Sequence, residues 1–167
     1  MASAVALPDA YRDRPIRVYS RNPDSRGRFV DRARTEFGLD VSAARSAEEA
    51  VRAAEVVVLA TSSATPVVEA EWIRPGAYVA PLGPKQVGRA EFDPSIARTA
   101  AFVVSDSPAQ VGAYDPPNVL VGSGLEGDLV HLGAVLAGDA QPPEGTRVFF
   151  SVGLAGTEAW LLDAVTR

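Results

Sequence analysis

The sequence predicts an α/β fold, an open parallel sheet in a three-layer αβα arrangement. Two observations carry that prediction. Apolar, β-rich runs alternate with helical patterns from residue 16 to residue 105, the rhythm of βαβ units joined by right-handed crossovers. Val56–Ala60 is an unbroken apolar run, as expected of a parallel strand covered on both faces.

The elements follow in order. Ile16–Tyr19 reads as a strand. Asp24 is placed to cap a helix running to Phe37, with Phe29, Ala33 and Phe37 on one face and Gly38 as its stop. Leu39–Ala43 reads as a short strand, and Ser46-Ala-Glu-Glu49 as a capping box that opens a helix to about Ala54. Pro75-Gly76 turns the chain into a strand at Ala77–Leu82. Asp93-Pro94 supplies a cap with proline at the first helical position, ahead of the strand Phe102–Ser105. Residues 107–118, rich in proline and turn formers, predict a loop. Leu129, Leu132, Val135 and Leu136 mark an amphipathic helix ending at Gly138. A strand at Arg147–Val152 and a helix around Glu158–Val165 complete the pattern.

With 167 residues, 47% of them hydrophobic, the chain is long and apolar enough to bury a core. No apolar run reaches the 18 or more residues of a membrane span, and no basic segment precedes the short apolar stretch near the N-terminus. The expectation is a cytoplasmic protein. There is no cysteine, which excludes disulfides and thiolate metal sites, and no metal is expected. His131, the single histidine, sits between Leu129 and Leu132 without histidine or carboxylate partners nearby and reads as structural.

Charge is uneven. Residues 12–34 hold eight arginines against three aspartates, a net of +5 within a chain of net −5. Arg26, Arg28, Arg32 and Arg34 fall within one helix and read as its solvated face. The acidic remainder weighs against nucleic acid as a partner. Arg21 stands apart, because it follows a strand end.

The stretch Ile16–Pro23, IRVYSRNP, matches the second strand of a dinucleotide-binding sheet, whose first strand and G-x-G-x-x-G turn normally lie about 20 residues upstream. Fifteen residues precede Ile16, none of them glycine. The sheet is therefore expected to be Rossmann-like but without its first strand and glycine-rich loop. Loss of that strand would expose the apolar edges of its neighbours, which predicts an oligomer or a need for a complementing chain. A literal G-x-G-x-x-G does occur at Gly122–Gly127, but Glu126 and Asp128 would repel a pyrophosphate there and no βαβ unit follows. It reads as a turn capped by Asp128.

Taken in order, VYSRNP, SAEEAVRAAEVVVLATSSATPVV, WIRPGAYVAPLG, RAEFD, LGAVLAG and FFSVGLAGTEA resemble the ornithine cyclodeaminase/mu-crystallin family, from about Arg17 to the C-terminus. The AT-S-S-x-T-P turn, the W-I-R-P-G-A strand entry and the S-V-G-L strand end are its most specific parts. The resemblance implies a nicotinamide-binding Rossmann domain and a separate substrate-binding and dimerisation domain. Residues 1–15 are then expected to be the remnant of the first Rossmann helix, and 16–137 an incomplete NAD(P)-binding domain. Residues 138–167 would be a strand–helix segment that in the family returns to the dimerisation domain.

The resemblance also implies site residues. Ser20, Arg21 and Asn22 would meet the adenosine ribose. An acidic residue there selects NAD, whereas a guanidinium can pair with a 2′-phosphate, so the expected cofactor is NADP(H) rather than NAD(H). Thr61 and Ser62 would contact the nicotinamide-side ribose, Leu82 and Gly83 would lie under the nicotinamide, and Ser151 and Gly153 would approach the ring. Lys85 stands where the cyclodeaminases carry a catalytic aspartate. A cation cannot act as that base, so the catalytic residues stay unassigned, and an exposed loop lysine is the other reading of Lys85.

The implied function is NADP(H)-linked oxidation or reduction of an amino acid or cyclic imine. The isolated chain is expected to be inactive, since the glycine turn and substrate domain are missing from the pattern. Its partners would be a nicotinamide nucleotide and, if the chain is complemented, a small amino-acid or imine substrate, with no nucleic acid and no membrane. The alternative is a non-catalytic remnant or partner module with weak nucleotide affinity.

Overall fold

An apolar Ile-Arg-Val step running into a polar turn forms the strand β1 (Ile16–Val18), which pairs in parallel with β2 (Val41–Ala43), Ile16 opposite Val41. The computed structural model describes residues 13–153. The chain divides into two compact units between Ala53 and Ala54. The expected N-terminal remnant helix, apart from residues 13–15, and the helix around 158–165 lie outside the described residues.

In the first unit, β1 and β2 are joined by helix α1 (Pro23–Phe37) and followed by α2 (Ala47–Val51). The cap of α1 is Asn22, not Asp24: its Oδ1 accepts from the Ser25 N–H at 2.9 Å. Pro23 decides this, because a residue with no N–H and a preset φ fits the first helical position and pushes the cap to the residue before it. Gly38 ends the helix in the left-handed region, φ 64°, as its sequence position predicts. Val30, Ala33, Leu39 and Val41 form the core, packed by Ile16, Val18 and Phe29, while Phe37 stays at the rim. The capping box of α2 is half made. Ser46 Oγ accepts from the Glu49 N–H, but the Glu49 carboxylate turns to the Arg45 N–H instead, and the helix stops at Val51.

The second unit is built on one sheet. Its strands are β3 (Val56–Leu59), β4 (Tyr78–Pro81), β7 (Phe102–Ser105), β8 (Val130–His131) and β9 (Arg147–Phe149). They lie in the order β3-β4-β9-β7-β8, every neighbouring pair parallel. β9, the last strand among the described residues, thus enters the middle of the sheet, between two strands that precede it. A small antiparallel hairpin, β5 (Lys85–Gln86) and β6 (Arg89–Ala90), follows β4 and turns at Val87-Gly88, with Gly88 at φ 82°. Helix α3 (Pro94–Arg98) starts where Asp93-Pro94 predicts, with Asp93 Oδ1 accepting from the Ser95 N–H at 2.7 Å. The fold is the Rossmann-like α/β sheet that the sequence predicts. Among the described residues, β1 and β3 each have one bonded neighbour.

Three local expectations change. Val56 and Val58 are 41% and 54% exposed, so β3 is covered on one face only; an all-apolar run carries no alternation from which to tell one face from two. Residues 107–118 are not loop throughout, because Ser107-Pro108 opens a short helix, α4 (Pro108–Val111). Leu129 lies outside the predicted amphipathic helix, which shortens to α5 (Leu132–Ala137). His131 caps it by accepting from the Gly133 N–H, and Leu136 points outward at 79% exposure.

The core of this unit centres on Phe92 and Phe150, both fully buried, with ring centroids 5.5 Å apart in an edge-to-face arrangement. Gly122–Gly127 is a run of turns that opens no helix. Glu126, rather than Asp128, closes it by accepting from the Gly122 N–H. The backbone N–H groups of Glu126 itself, Gly122 and Gly124 hold the Glu126 carboxyl below the usual range, so the turn presents a carboxylate where a phosphate would need free N–H groups.

Candidate functional site

The carboxyl ends of β3, β4, β9 and β7 lie side by side in the second unit, the edge at which open α/β sheets bind ligands. Two carboxylates tie these ends together. Glu91, fully buried, accepts from the Thr61 N–H and Thr61 Oγ1, both at 2.7 Å, and from the Gly83 N–H at 2.5 Å. Asp106 accepts from Ser151 Oγ and the Val152 N–H, each at 2.8 Å. The first carboxylate thus bridges the exits of β3 and β4, and the second those of β7 and β9.

Neither carboxylate is among the residues that the sequence pattern singles out. Glu91 leaves a weak trace: it stands between two apolar residues, Ala90 and Phe92, but Arg89 and Asp93 beside them make it look like one more surface charge. Asp106 directly follows the strand Phe102–Ser105, at the edge where polar groups meet ligands.

Of the expected site residues, Thr61 and Gly83 are brought together through Glu91, and Ser151 is held by Asp106. Leu82 closes the ladder, its N–H donating to Leu59 O at 2.7 Å, while its side chain remains 47% exposed. Ser62 is exposed beside Thr61, and Gly153 is exposed at φ 76°, past Ser151. Tyr114 Oη donates to Val152 O at 2.7 Å and pins the exit of β9.

Lys85 is not an exposed loop lysine. It is 8% exposed in β5, its Nζ donating to Gly83 O at 2.9 Å and lying 5.8 Å from the centre of the Phe150 ring. Burial lowers its pKa from the ordinary 10.5, against the opposing pull of Glu91 and Asp106. The unfolded chain therefore binds the proton more tightly, and the stability contribution of Lys85 rises with pH through the window between the lowered value and 10.5. Lys85→Met is expected to cost less stability at pH 7 than at pH 10, because the ammonium bears its desolvation cost only while it is charged. Urea unfolding at several pH values would measure this; a constant difference would contradict the buried ammonium.

Ser20, Arg21 and Asn22 lie in the first unit, just past the carboxyl end of β1. Ser20 Oγ donates to Asn22 O at 3.0 Å, Arg26 Nη1 donates to Ser20 O at 2.7 Å, and the Arg26 guanidinium sits 5.3 Å over the Tyr19 ring. Asn22 is occupied as the cap of α1. The helix arginines are used locally: Arg28 on Ser25, Arg32 on Glu36, and Arg34 on the Val41 carbonyl. Arg21, by contrast, is exposed and makes no ion pair among the described residues.

In the second unit, the hydroxyls of Thr61 and Ser151 stand at strand exits, and Gly83 lets the backbone pack without a side chain. Among the described residues, no glycine-rich turn opens a helix at a strand end, so a pyrophosphate cradle is not part of what they provide. A groove of about 590 Å³ lined by Pro66, Val68, Glu69, Trp72, Asp93 and Ser95 contains none of these site residues. No described helix is long and apolar enough to cross a membrane.

Known proteins share this chain's sequence pattern and fold. The ketimine reductase mu-crystallin of Mus musculus is 32% identical over 142 residues, covering 84% of this chain and 42% of the mouse protein. The iminosuccinate reductase of Paracoccus denitrificans, solved in complex with NAD+, superposes with a TM-score of 0.76 at 25% identity, covering 90% of this chain and 47% of its own. The Thermococcus litoralis Δ1-pyrroline-2-carboxylate reductase, solved with NADH and L-proline, superposes with a TM-score of 0.73 at 25% identity, covering 88% and 47%. The chain therefore spans less than half the length of these relatives. The model of the ornithine cyclodeaminase/mu-crystallin family matches residues 3–165, nearly the whole sequence. With a parallel Rossmann-like sheet beneath that match, this chain belongs to the ornithine cyclodeaminase/mu-crystallin family.

Proposed function

We propose that this chain is the nucleotide-binding part of an oxidoreductase that transfers hydride between a nicotinamide cofactor and an amino acid or cyclic imine, with NADP(H) preferred over NAD(H). The observation that carries the reading is the pair of carboxylate ties at the carboxyl edge of one parallel sheet, which hold Thr61, Gly83 and Ser151 in place. The bound nicotinamide supplies the hydride chemistry; the protein binds and orients it. Thr61 and Ser62 offer hydroxyls to a ribose. Leu82 offers an exposed apolar surface to a ring face, and Ser151 and Gly153 offer an approach from the neighbouring strand. Lys85 replaces the cyclodeaminase aspartate, which supports reduction or dehydrogenation over cyclodeamination.

Arg21 supports the NADP(H) preference, although the solved relatives named above carry NADH or NAD+. A guanidinium pairs with a 2′-phosphate through charge-assisted hydrogen bonds worth roughly 1.5–3 kcal/mol, about one to two orders of magnitude in affinity. Titrating the full chain with NADPH and NADH by fluorescence is expected to show micromolar NADPH binding at least tenfold tighter than NADH. Arg21→Ala should close most of that gap by weakening NADPH alone. Equal affinities in the wild type would overturn the preference. Binding of neither nucleotide would favour a non-catalytic role.

A further inference from the structure

We propose that Glu91 is the positioning residue of this site: its carboxylate locks the exits of β3 and β4 together, and the nicotinamide nucleotide is bound by the turn so formed. The inference rests on the nucleotide reading above, and its first readout is independent of it.

The geometry is that of a clamp. The last ladder bond between β3 and β4 is the one from the Leu82 N–H to Leu59 O. Beyond it, the Thr61 and Gly83 amides are joined through Glu91: Oε2 takes both Thr61 donors and Oε1 takes the Gly83 N–H. The backbone of Glu91 is itself anchored on both sides, its N–H donating to Pro84 O at 2.9 Å and its carbonyl accepting from the Val67 N–H at 3.0 Å.

The hairpin holds Gly83 at both ends, since Lys85 Nζ donates to its carbonyl while Glu91 accepts from its N–H. Glu91 makes no ion pair among the described residues. Its two oxygens are met by three oriented donors, and a carboxylate acts there as acceptor only. A glutamine of the same shape presents one NH2 group and must point it at a donor, so one strand exit loses its partner. Gly83 is the matching half of the clamp, because a Cβ there would lie 2.5 Å from the Glu91 carboxyl carbon.

The test is Glu91→Gln in the full chain, followed by amide hydrogen exchange, nucleotide titration and urea unfolding. Val148→Ala, which truncates a buried side chain in β9, serves as the control for lost stability. Glu91→Gln is expected to accelerate exchange at Thr61 and Gly83 at least tenfold while leaving Val79 protected, and to weaken NADPH binding about 10- to 100-fold. Val148→Ala should leave affinity within about threefold once binding is measured under folded conditions.

Should Glu91→Gln fail to fold, Glu91→Asp keeps the charge but is one methylene too short to reach both exits, and it should give a loss of the same kind. Unchanged exchange at Thr61 and Gly83 overturns the clamp. Equal loss of binding in Glu91→Gln and Val148→Ala overturns the positioning role. A wild type that binds neither nucleotide overturns the functional reading, and the clamp is then decided by exchange alone.

Discussion

Gly83→Ala is expected to destabilise the second unit by about 3 kcal/mol, the sum of overpacking and a disrupted buried hydrogen bond. An added Cβ would lie 2.3 Å from the Thr61 carbonyl oxygen, 2.5 Å from the Glu91 carboxyl carbon and 2.6 Å from its Oε1. None of these atoms can yield cheaply. The first is backbone at a strand exit, and the others belong to a carboxylate held by three donors. Urea unfolding would measure the loss. Gly27→Ala is the matched control with the opposite sign, because Gly27 lies inside α1 with nothing within 4 Å of its Cβ position. It should gain about 0.5–1 kcal/mol from helix propensity. Comparable stabilities for the two variants would mean that Gly83 is not packed as described.

Phe150→Ala is expected to cost about 3–5 kcal/mol, the range for removing a fully buried aromatic ring. Phe150 is 0% exposed, packs edge-to-face on Phe92, and carries the Lys85 ammonium over its ring. It also follows β9 directly, and its N–H donates to Val104 O at 2.7 Å, so the ring anchors the strand that enters the middle of the sheet. A double-mutant cycle with Phe92→Leu and Phe150→Leu should return a coupling of about 0.5–1.5 kcal/mol. Additive losses would show that the rings contribute burial but no mutual contact energy.

Much of the fold could be read from local chemistry. The Asp93-Pro94 cap, the Gly38 and Gly138 stops and the strand at Phe102–Ser105 all stand where the sequence places them. Each depends on interactions within a few residues. The cap of α1 was legible in principle, since Pro23 requires its cap at residue 22, but Asp24 is an equally good cap by composition. The half-made box at Ser46 was not legible, because Glu49 chooses between the N–H groups of Arg45 and Ser46 by backbone angles that the residue types do not encode.

The site divides in the same way. Thr61, Ser62, Leu82, Gly83, Ser151 and Gly153 were legible as residues at strand ends, because strand ends follow from apolar runs and resemblance. Of the two readings of Lys85, the exposed loop lysine fails, because its burial depends on a hairpin turned by only two residues, Val87-Gly88. Glu91 and Asp106 were missed because their roles are long-range: Glu91 meets Thr61 across 30 residues of chain, and Asp106 meets Ser151 across 45.

By itself, the sequence determined the α/β class, the parallel strands, the helix ends marked by Gly38, Gly138 and Asp93-Pro94, and the family, because periodicity, capping and motif strings are local and survive in one dimension. Only the tertiary structure decided that β9 lies between β4 and β7, that Lys85 is buried, and that two carboxylates tie the strand exits in pairs. Those outcomes depend on hydrogen-bond donors brought together from distant segments, and a buried charge settles where such donors converge.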